Sequence, residues 1–327
     1  MNRSIRLQPD SLAGRVQPNH SGRKFLLALG LALFATASGG ARLVEEEVPG
    51  AAARYELGDD QLQFEEVFQS HLPTTLQKYG LRFSAHPHLG DWQKKDHMRV
   101  TTAFRYGLTE KCEISLGSRL YFAHGNGASR AFDDYGAANV KVGARFDLGQ
   151  PLFPGWETGA GFDYETPVGR PPAEVTDGLR HFRPYVTFSH RCESRPNLRV
   201  FVGFRLDEVE QTDVPGTFAK NSFQESSTGI TGGWVLDRDR WHYTFEASWD
   251  TNRLVGQGSE DIYSIRPGVL YEIPARRKYG VRSNWLVGLS VNSTFGPGGS
   301  SQGASFKVRY SSDIKTRYNR REAVLRR

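Results

Sequence analysis

Residues 241–250, with the sequence WHYTFEASWD, alternate between apolar and more polar side chains at every position. One face of this stretch carries Trp241, Tyr243, Phe245, Ala247 and Trp249, and the other carries His242, Thr244, Glu246, Ser248 and Asp250. Because successive side chains of a β-strand point to opposite faces, this period of two predicts a strand with one apolar face and one wet face.

The same alternation recurs along the chain between residues 76 and 312. It is clear at 99–108, 139–148, 156–166 and 198–207, and weaker at 77–85, 112–122, 182–191, 227–236, 262–273, 284–292 and 304–311. Strands of about ten residues have the length that a tilted strand needs to cross a bilayer. We therefore predict an all-β fold, a transmembrane up-and-down antiparallel β-barrel of about 12 strands over residues 76–312.

The connections between these strands alternate in length. The longer ones are 86–98, 123–138, 167–181, 208–226, 251–261 and 293–303, and the shorter ones are 109–111, 149–155, 192–197, 237–240 and 274–283. Outer-membrane barrels have short periplasmic turns at one rim and longer external loops at the other, whereas a Greek-key sandwich has no reason to alternate in this way. An even number of strands places both termini at the short-turn rim, so both are expected in the periplasm.

Charge and composition exclude several classes of protein. The chain of 327 residues has a net charge of +6, but residues 1–37 and 313–327 each carry +4, which leaves −2 for the body, 38–312. A body of this charge does not predict a nucleic-acid partner. No run approaches the roughly 20 apolar residues of a spanning helix, and 2 cysteines are too few for a disulfide scaffold.

The ends of the chain predict segments outside the barrel. Arg23-Lys24, the apolar run 25–34 and Ala35-Thr36-Ala37 have the layout of a secretory signal, so residues 1–37 are expected to be a cleaved signal peptide. Residues 38–75 are predicted to be a periplasmic extension in which Leu62, Phe64, Val67 and Phe68 favour one short helix. A poorly ordered leader is favoured there over a plug or a docking segment. The tail 313–327 is predicted to be basic and solvated.

The two faces of the strands have different chemistry, and we assign one to the lumen and one to lipid. The predicted lumen-lining residues are Arg99, Arg105, Arg119, Lys141, Arg145, Glu157, Asp163, Glu165, Arg183, Arg199, Arg205, Glu246, Asp250, Arg266 and Glu272. The predicted lipid-facing aromatic girdle is Tyr106, Tyr164, Trp234, Trp241, Trp249, Tyr271 and Trp285, since such rings favour membrane–water interfaces. The alternative is a soluble barrel or sandwich with these rings in its core.

Motifs that carry catalysis or bind cofactors are missing from the sequence. It has no glycine-rich phosphate loop, no CxxC pair, no HExxH and no GxSxG. His86, His88, Asp91 and His97 are the densest group of metal-ligand types, but they form no closed tetrahedral set. We therefore predict no catalytic residue, no cofactor and no metal site.

Four short segments resemble a known family. They are 105–109 (RYGLT), 140–145 (VKVGAR), 165–169 (ETPVG) and 266–271 (RPGVLY), and their order is similar to that in the transporter-like outer-membrane barrels called the "MetA-pathway of phenol degradation" family. The resemblance covers roughly residues 76–312. It implies an exported β-barrel that acts as a channel for small, often hydrophobic compounds, with no catalytic residues to carry over.

The sequence as a whole predicts an outer-membrane channel or transporter-like protein for the passive passage or binding of small solutes, hydrophobic or aromatic ones included. The expected partners are the outer-membrane bilayer, the barrel-assembly machinery and an unidentified small molecule, but no nucleic acid. One alternative is a non-conducting structural or surface-interaction barrel with a blocked lumen. The other is a membrane-embedded hydrolase, for which His242, Glu246 and Ser248 form the single candidate row.

Overall fold

The computed structural model describes residues 67–89, 91, 96–124, 134–218, 221–273 and 282–313. The predicted signal peptide, most of the extension before residue 67 and the basic tail after residue 313 lie outside these residues, and those predictions stay predictions.

Twelve strands form one closed antiparallel barrel. They are β1 (Gly80–Pro87), β2 (His97–Thr109), β3 (Cys112–Ala123), β4 (Tyr135–Gly149), β5 (Trp156–Pro167), β6 (Leu179–Arg191), β7 (Leu198–Gln211), β8 (Ser227–Arg238), β9 (Trp241–Thr251), β10 (Asp261–Ile273), β11 (Arg282–Gly296) and β12 (Gly299–Asp313). Each strand pairs with the next one along the chain, and β12 pairs with β1 to close the ring. The predicted fold class and strand number are confirmed.

The alternation of apolar and polar residues predicted every strand, but one predicted loop is wrong. Residues 293–303, predicted as a long loop, instead continue β11 and β12, which pair as far as Gly296 and Gly299 around Pro297-Gly298. The positive φ of 94° at Gly299 suits a residue without a Cβ. Small polar side chains on both faces hide the period here, because neither face of this hairpin tip is apolar.

The outward face of the barrel is apolar and exposed. Large side chains such as Leu116 (55% exposed), Phe104 (45%) and Trp285 (45%) point away from the interior, while charged residues such as Arg145 and Glu246 are 3% exposed. The distribution is the reverse of that in a water-soluble domain, where a large contiguous apolar surface is uncommon.

The long loop between β5 and β6 contains a short helical stretch. Ala173–Val175 form a single turn of 3₁₀ helix. Among the described residues, no helix is long and apolar enough to cross a membrane.

Residues 67–79, here called the lumen segment, precede β1 and run through the inside of the barrel. Val67 and Phe68, the two described residues of the predicted short helix, have irregular backbone. The segment touches wall residues on both sides of the ring, including Glu113 on β3 and Glu246 on β9. A segment that contacts opposite walls of a closed barrel lies within its lumen.

Candidate functional site

Glu165 on β5 is the centre of an ion-pair network on the inward face. Its carboxylate accepts a hydrogen bond from Asn139 Nδ2 at 2.8 Å and another from Arg183 Nη1 at 2.7 Å. Arg119 Nη2 lies 3.0 Å from the same carboxylate. Four neighbouring strands, β3 to β6, therefore contribute to one charged cluster, because antiparallel pairing places inward side chains side by side.

The network continues onto β7 and β9. Arg183 Nε donates to Asp207 at 2.9 Å, and the other oxygen of Asp207 lies 2.9 Å from His181 Nδ1. Further round the wall, Arg205 Nη2 on β7 donates to Asp250 on β9 at 2.6 Å. These are charge-assisted contacts at short distance, which hold long side chains in fixed positions around the lumen.

A second cluster lies nearer the short-turn rim. Glu113 is almost fully buried at 2% exposure, with Arg105 Nη1 at 3.5 Å and Arg145 Nη1 at 3.4 Å. Its other oxygen accepts a hydrogen bond of 2.8 Å from the backbone amide of Leu76 in the lumen segment. Glu113 was missed at the sequence level, although its inward parity on β3 is readable from Ile114 and Leu116 beside it.

The structure places the remaining predicted lumen residues in separate local contacts. Arg99 pairs with Asp91 at 2.6 Å, and Lys141 pairs with Asp163 at 3.3 Å. Glu157 accepts a hydrogen bond from Ser189 at 3.3 Å, and Glu272 lies 3.9 Å from His242. Arg266 lies opposite Glu246 in the strand register, and Arg199 lies at the start of β7.

The residues of the predicted girdle lie on the opposite, outward face. Trp241 and Tyr271 have ring centroids 4.6 Å apart, Trp234 stacks on Phe245 at 6.2 Å, and Trp285 packs against Tyr310 at 4.9 Å, all beside the short turns. Tyr164 is 38% exposed toward the long-loop end, and Trp249 donates to Asp261 at 3.3 Å in the same region. Tyr106 lies near the short-turn end of β2, two residues before the exposed Leu108.

The hydrolase row does not assemble into a catalytic arrangement. His242 Nδ1 is 2.7 Å from Asp237, Glu246 accepts backbone amides, and Ser248 Oγ lies 2.7 Å from Ser264 Oγ. Ser248 is six positions from His242 on one strand, about 20 Å away at the usual rise, which is too far for a base and its nucleophile. Among the described residues, no group of three or more histidine, cysteine or acidic side chains could hold a metal ion.

Hydrogen bonds anchor the lumen segment to the barrel wall at both of its ends. The amides of Gln69 and Ser70 donate to the carboxylate of Glu246 at 3.2 and 2.8 Å. Lys307 Nζ, which is fully buried on β12, donates to the carbonyl oxygen of Val67. Together with the amide of Leu76 on Glu113, these bonds satisfy backbone groups that would otherwise be buried without partners.

Inward-facing apolar residues form a hydrophobic patch that the lumen segment covers. Val67, Phe68 and Leu72 pack with wall side chains from four strands in one buried cluster, namely Phe201, Val235, Leu270 and Leu286. Sequence reasoning assigned the inward face to polar residues and missed this patch. The signal was present, since Phe201 interrupts the polar series Arg199, Gly203, Arg205 on its strand.

An open cavity, here called the chamber, lies in the middle of the lumen directly beside the lumen segment. Its volume is about 450 Å³. Its lining combines basic, acidic and hydroxyl side chains with residues of the segment, including Arg105, Lys141, Asp163, Arg183, Arg205, Asp207, Thr101, Thr187, Thr231, Phe68 and His71. Both signs of charge therefore face the same space.

The long loop between β5 and β6 folds inward at the opposite end of the lumen. Val175 is fully buried against Tyr121 and Ala138. Glu174 contacts His97 Nδ1, and Asp177 lies 3.1 Å from His181 Nε2. The loop is thus tied to the wall on two sides and narrows the long-loop mouth of the barrel.

No protein-family model and no curated protein match this sequence. The family assignment suggested by the four short segments therefore stays a prediction.

Several solved structures are similar in fold, and most are outer-membrane channels. An outer membrane channel from Pseudomonas putida F1 is 10% identical with a TM-score of 0.49, and the match covers 75% of this chain and 99% of that chain. The KdgM porin, solved in complex with disordered oligogalacturonate, is 9% identical with a TM-score of 0.39 over 71% and 97% of the two chains. The outer membrane phospholipase dimer of Salmonella typhi is 15% identical with a TM-score of 0.37 over 74% and 94%.

Proposed function

We propose that the protein is an outer-membrane β-barrel channel that binds small hydrophilic solutes and lets them pass through its lumen. The observation that carries this proposal is the charged chamber of about 450 Å³ inside a closed barrel whose outer surface is apolar. Lipid-embedded barrels need an apolar exterior and tolerate a polar, water-filled interior.

The exterior supports a membrane location. Exposed apolar side chains occupy the middle of the strands, and the aromatic pairs Trp241–Tyr271 and Trp285–Tyr310 lie at the short-turn end. Rings with an apolar body and a polar edge are enriched where hydrocarbon meets water. Export by the predicted signal peptide 1–37 would deliver the chain to the outer membrane, with both ends of the barrel sequence in the periplasm.

The chamber supports the binding of small solutes that carry polar groups. Cavities that hold small ligands have volumes of about 300–1,000 Å³, so the chamber is large enough for one small molecule. Its walls present guanidinium, ammonium, carboxylate and hydroxyl groups, together with the rings of Phe68, Tyr185 and Phe201. The polar groups can replace the water that a polar solute loses on entering the lumen.

Planar-bilayer recordings on the full-length protein test this proposal. Thr231→Trp places an indole in the chamber and is expected to reduce the single-channel conductance to roughly half or less, because conductance follows the free width of the lumen. Ile230→Trp is the matched control, since Ile230 is the neighbouring residue on β8 and is exposed on the outward face. Its conductance should equal that of the wild type.

A barrel with a permanently blocked lumen is the second candidate, because the lumen segment occupies the short-turn half of the interior. The recordings separate the two functions. Discrete current steps whose size depends on residue 231 support the channel. A folded, membrane-inserted protein that never conducts would instead support a barrel with a blocked lumen.

A further inference from the structure

We propose that the short-turn half of the lumen is a binding site for a peptide backbone, and that its bound occupant, the lumen segment, holds the channel closed. The inference rests on the proposed channel function and assigns the gate to residues 67–79. The gate would then be a displaceable segment of the same chain rather than a movement of the barrel wall.

The site recognises main-chain atoms. Glu246 accepts two consecutive amides, from Gln69 and Ser70, and Glu113 accepts the amide of Leu76. Lys307 completes the set by donating to the carbonyl oxygen of Val67. Buried charged groups are costly without partners, so these wall residues and the segment satisfy each other.

Glycines on the wall leave room for the segment. A Cβ at Gly159 on β5 would lie 2.6 Å from Pro73 Cα, and one at Gly107 on β2 would lie 2.0 Å from the carbonyl oxygen of Gln77. A Cβ at Gly268 on β10 would lie 2.4 Å from the ring of Phe68. Strands on different sides of the barrel thus lack side chains where the segment passes.

His71 connects the segment to the ionic network of the lumen. Its Nδ1 accepts from Arg145 Nη2 at 2.5 Å, which leaves Nε2 to carry the proton and face Asp163 at 3.6 Å. The ring stacks on Tyr185 with centroids 4.6 Å apart. His71, Tyr185 and Asp163 also line the chamber, so the segment forms one wall of the chamber and separates it from the short-turn rim.

Opening therefore requires the segment to leave its site while the strands stay paired. Each wall strand is paired with two neighbouring strands. The segment is not part of this ladder, and hydrogen bonds to wall side chains, the stacked ring of His71 and the apolar contacts of Val67, Phe68 and Leu72 hold it in place. When contacts between wall and segment are overpacked, the segment gives way first.

Full-length Gly159→Ala and Gly107→Ala variants test the gate. Each adds one methyl group against the segment backbone. We expect the open fraction in planar-bilayer recordings to rise roughly tenfold or more, which corresponds to about 1.4 kcal/mol, with the size of each current step unchanged. Gly303→Ala on β12 is the matched control, because nothing lies within 4 Å of a Cβ at that position.

A thiol probe on the segment reports displacement independently of current. Ser70 is 8% exposed and its hydroxyl has no hydrogen-bond partner within the described residues, so Ser70→Cys is a mild change. The probe is placed in a Cys112→Ser, Cys192→Ser background, because both native cysteines are free and partly accessible. A membrane-impermeant maleimide should label Cys at position 70 slowly in the Gly303→Ala barrel and faster in the Gly159→Ala barrel.

The two readouts separate failure of the gate from failure of the channel. A wild type that is open as often as Gly159→Ala overturns the gate and leaves the channel function standing. Unchanged labelling in Gly159→Ala and Gly107→Ala also overturns it, since the segment then does not bind where the wall glycines lie. Faster labelling with no current in any variant contradicts the channel function itself.

Discussion

At the scale of single residues, Glu165 binds side chains from three strands, and its role can be tested directly. Glu165→Gln removes the negative charge between Arg119 and Arg183, which leaves two guanidinium groups without their shared partner. Hydrogen bonds to charged groups contribute roughly 1.5–3 kcal/mol, so we expect a loss of about 2 kcal/mol in the free energy of unfolding. Urea titration of the vesicle-inserted barrel, followed by heat-modifiable gel migration, measures it.

Glu210→Gln provides the matched control for this prediction. The Arg180–Glu210 pair spans 3.3 Å between neighbouring strands, but both side chains are largely exposed, at 46% and 61%. Such a surface pair contributes less than about 1 kcal/mol. Equal losses in the two variants would show that the lumen network is as weakly coupled as a pair in open water.

Residue parity predicts which side chains share one face of the barrel wall, but not which of them pair. Partners across a barrel wall depend on the register between strands, and bulges shift it near Gly107, Arg119 and Asp147. These shifts depend on turn geometry and packing rather than on any local period. The contact of Glu165 with Arg119, two strands away, could therefore not be read from the sequence.

At the scale of elements, the outward face of β3 gives a test of the membrane location. Leu116 lies in the middle of β3 and is 55% exposed. If this face meets hydrocarbon, Leu116→Arg should cost about 2–4 kcal/mol of folding free energy in lipid vesicles, because a charge at the bilayer midplane is poorly solvated.

Leu152→Arg is the matched control, since Leu152 is 61% exposed in the short turn between β4 and β5. Its cost should be below about 1 kcal/mol. A Leu116→Arg barrel as stable as the Leu152→Arg barrel would mean that the outer face of β3 is in water.

The inward-folded loop between β5 and β6 gives a prediction with a pH dependence. Burial raises the pKa of Asp177. The hydrogen bond from His181 and the charge of His181 together lower the pKa by more, so the net pKa lies below the usual range. A lowered carboxyl pKa stabilises the folded loop above the unfolded value of about 3.9, and the effect is lost as the pH falls through the lowered value. The loop should therefore stay in place down to about pH 4.

Asp177→Asn should release the loop at neutral pH. Hydrogen exchange of the amides of residues 173–178 is expected to accelerate roughly tenfold, since a hydrogen bond between charged groups contributes about 1.5 kcal/mol. Asp213→Asn, in the exposed part of the next long loop, should leave exchange unchanged. Exchange that matches the wild type in Asp177→Asn would show that the other contacts of the loop, such as Glu174 with His97 and the burial of Val175, hold it without the Asp177–His181 contact.

Strands and the lumen segment differ in how far the sequence predicts them. Each strand carries its own signal over most of its length, because an apolar face alternates with a more polar one. Residues 67–79 have no period, and their stability comes from wall residues far away in the chain, such as Glu246 and Lys307. The sequence therefore predicts the strands of the barrel well and the lumen segment poorly.

At the scale of the whole molecule, an even number of strands joined in order makes the closing pair of β12 with β1 antiparallel. Consecutive pairing needs only the connections between neighbours, and the alternating loop lengths indicated this topology. The pairing of β1 with β12, from Gly80↔Asp313 to Ala85↔Val308, is the longest-range strand pairing among the described residues. Contacts of this kind are slow to form, because their chain entropy is lost before other contacts compensate for it.

The seam between β1 and β12 also removes the last two free strand edges of the sheet. In a chain that lacks β12, both β1 and β11 present rows of unpaired amides and carbonyls. Unpaired edges of this kind join readily to those of other unfinished copies. A premature stop codon just before Gly299 would therefore give a product in which β1 and β11 each keep an unpaired edge. Such a product is expected to aggregate through these edges.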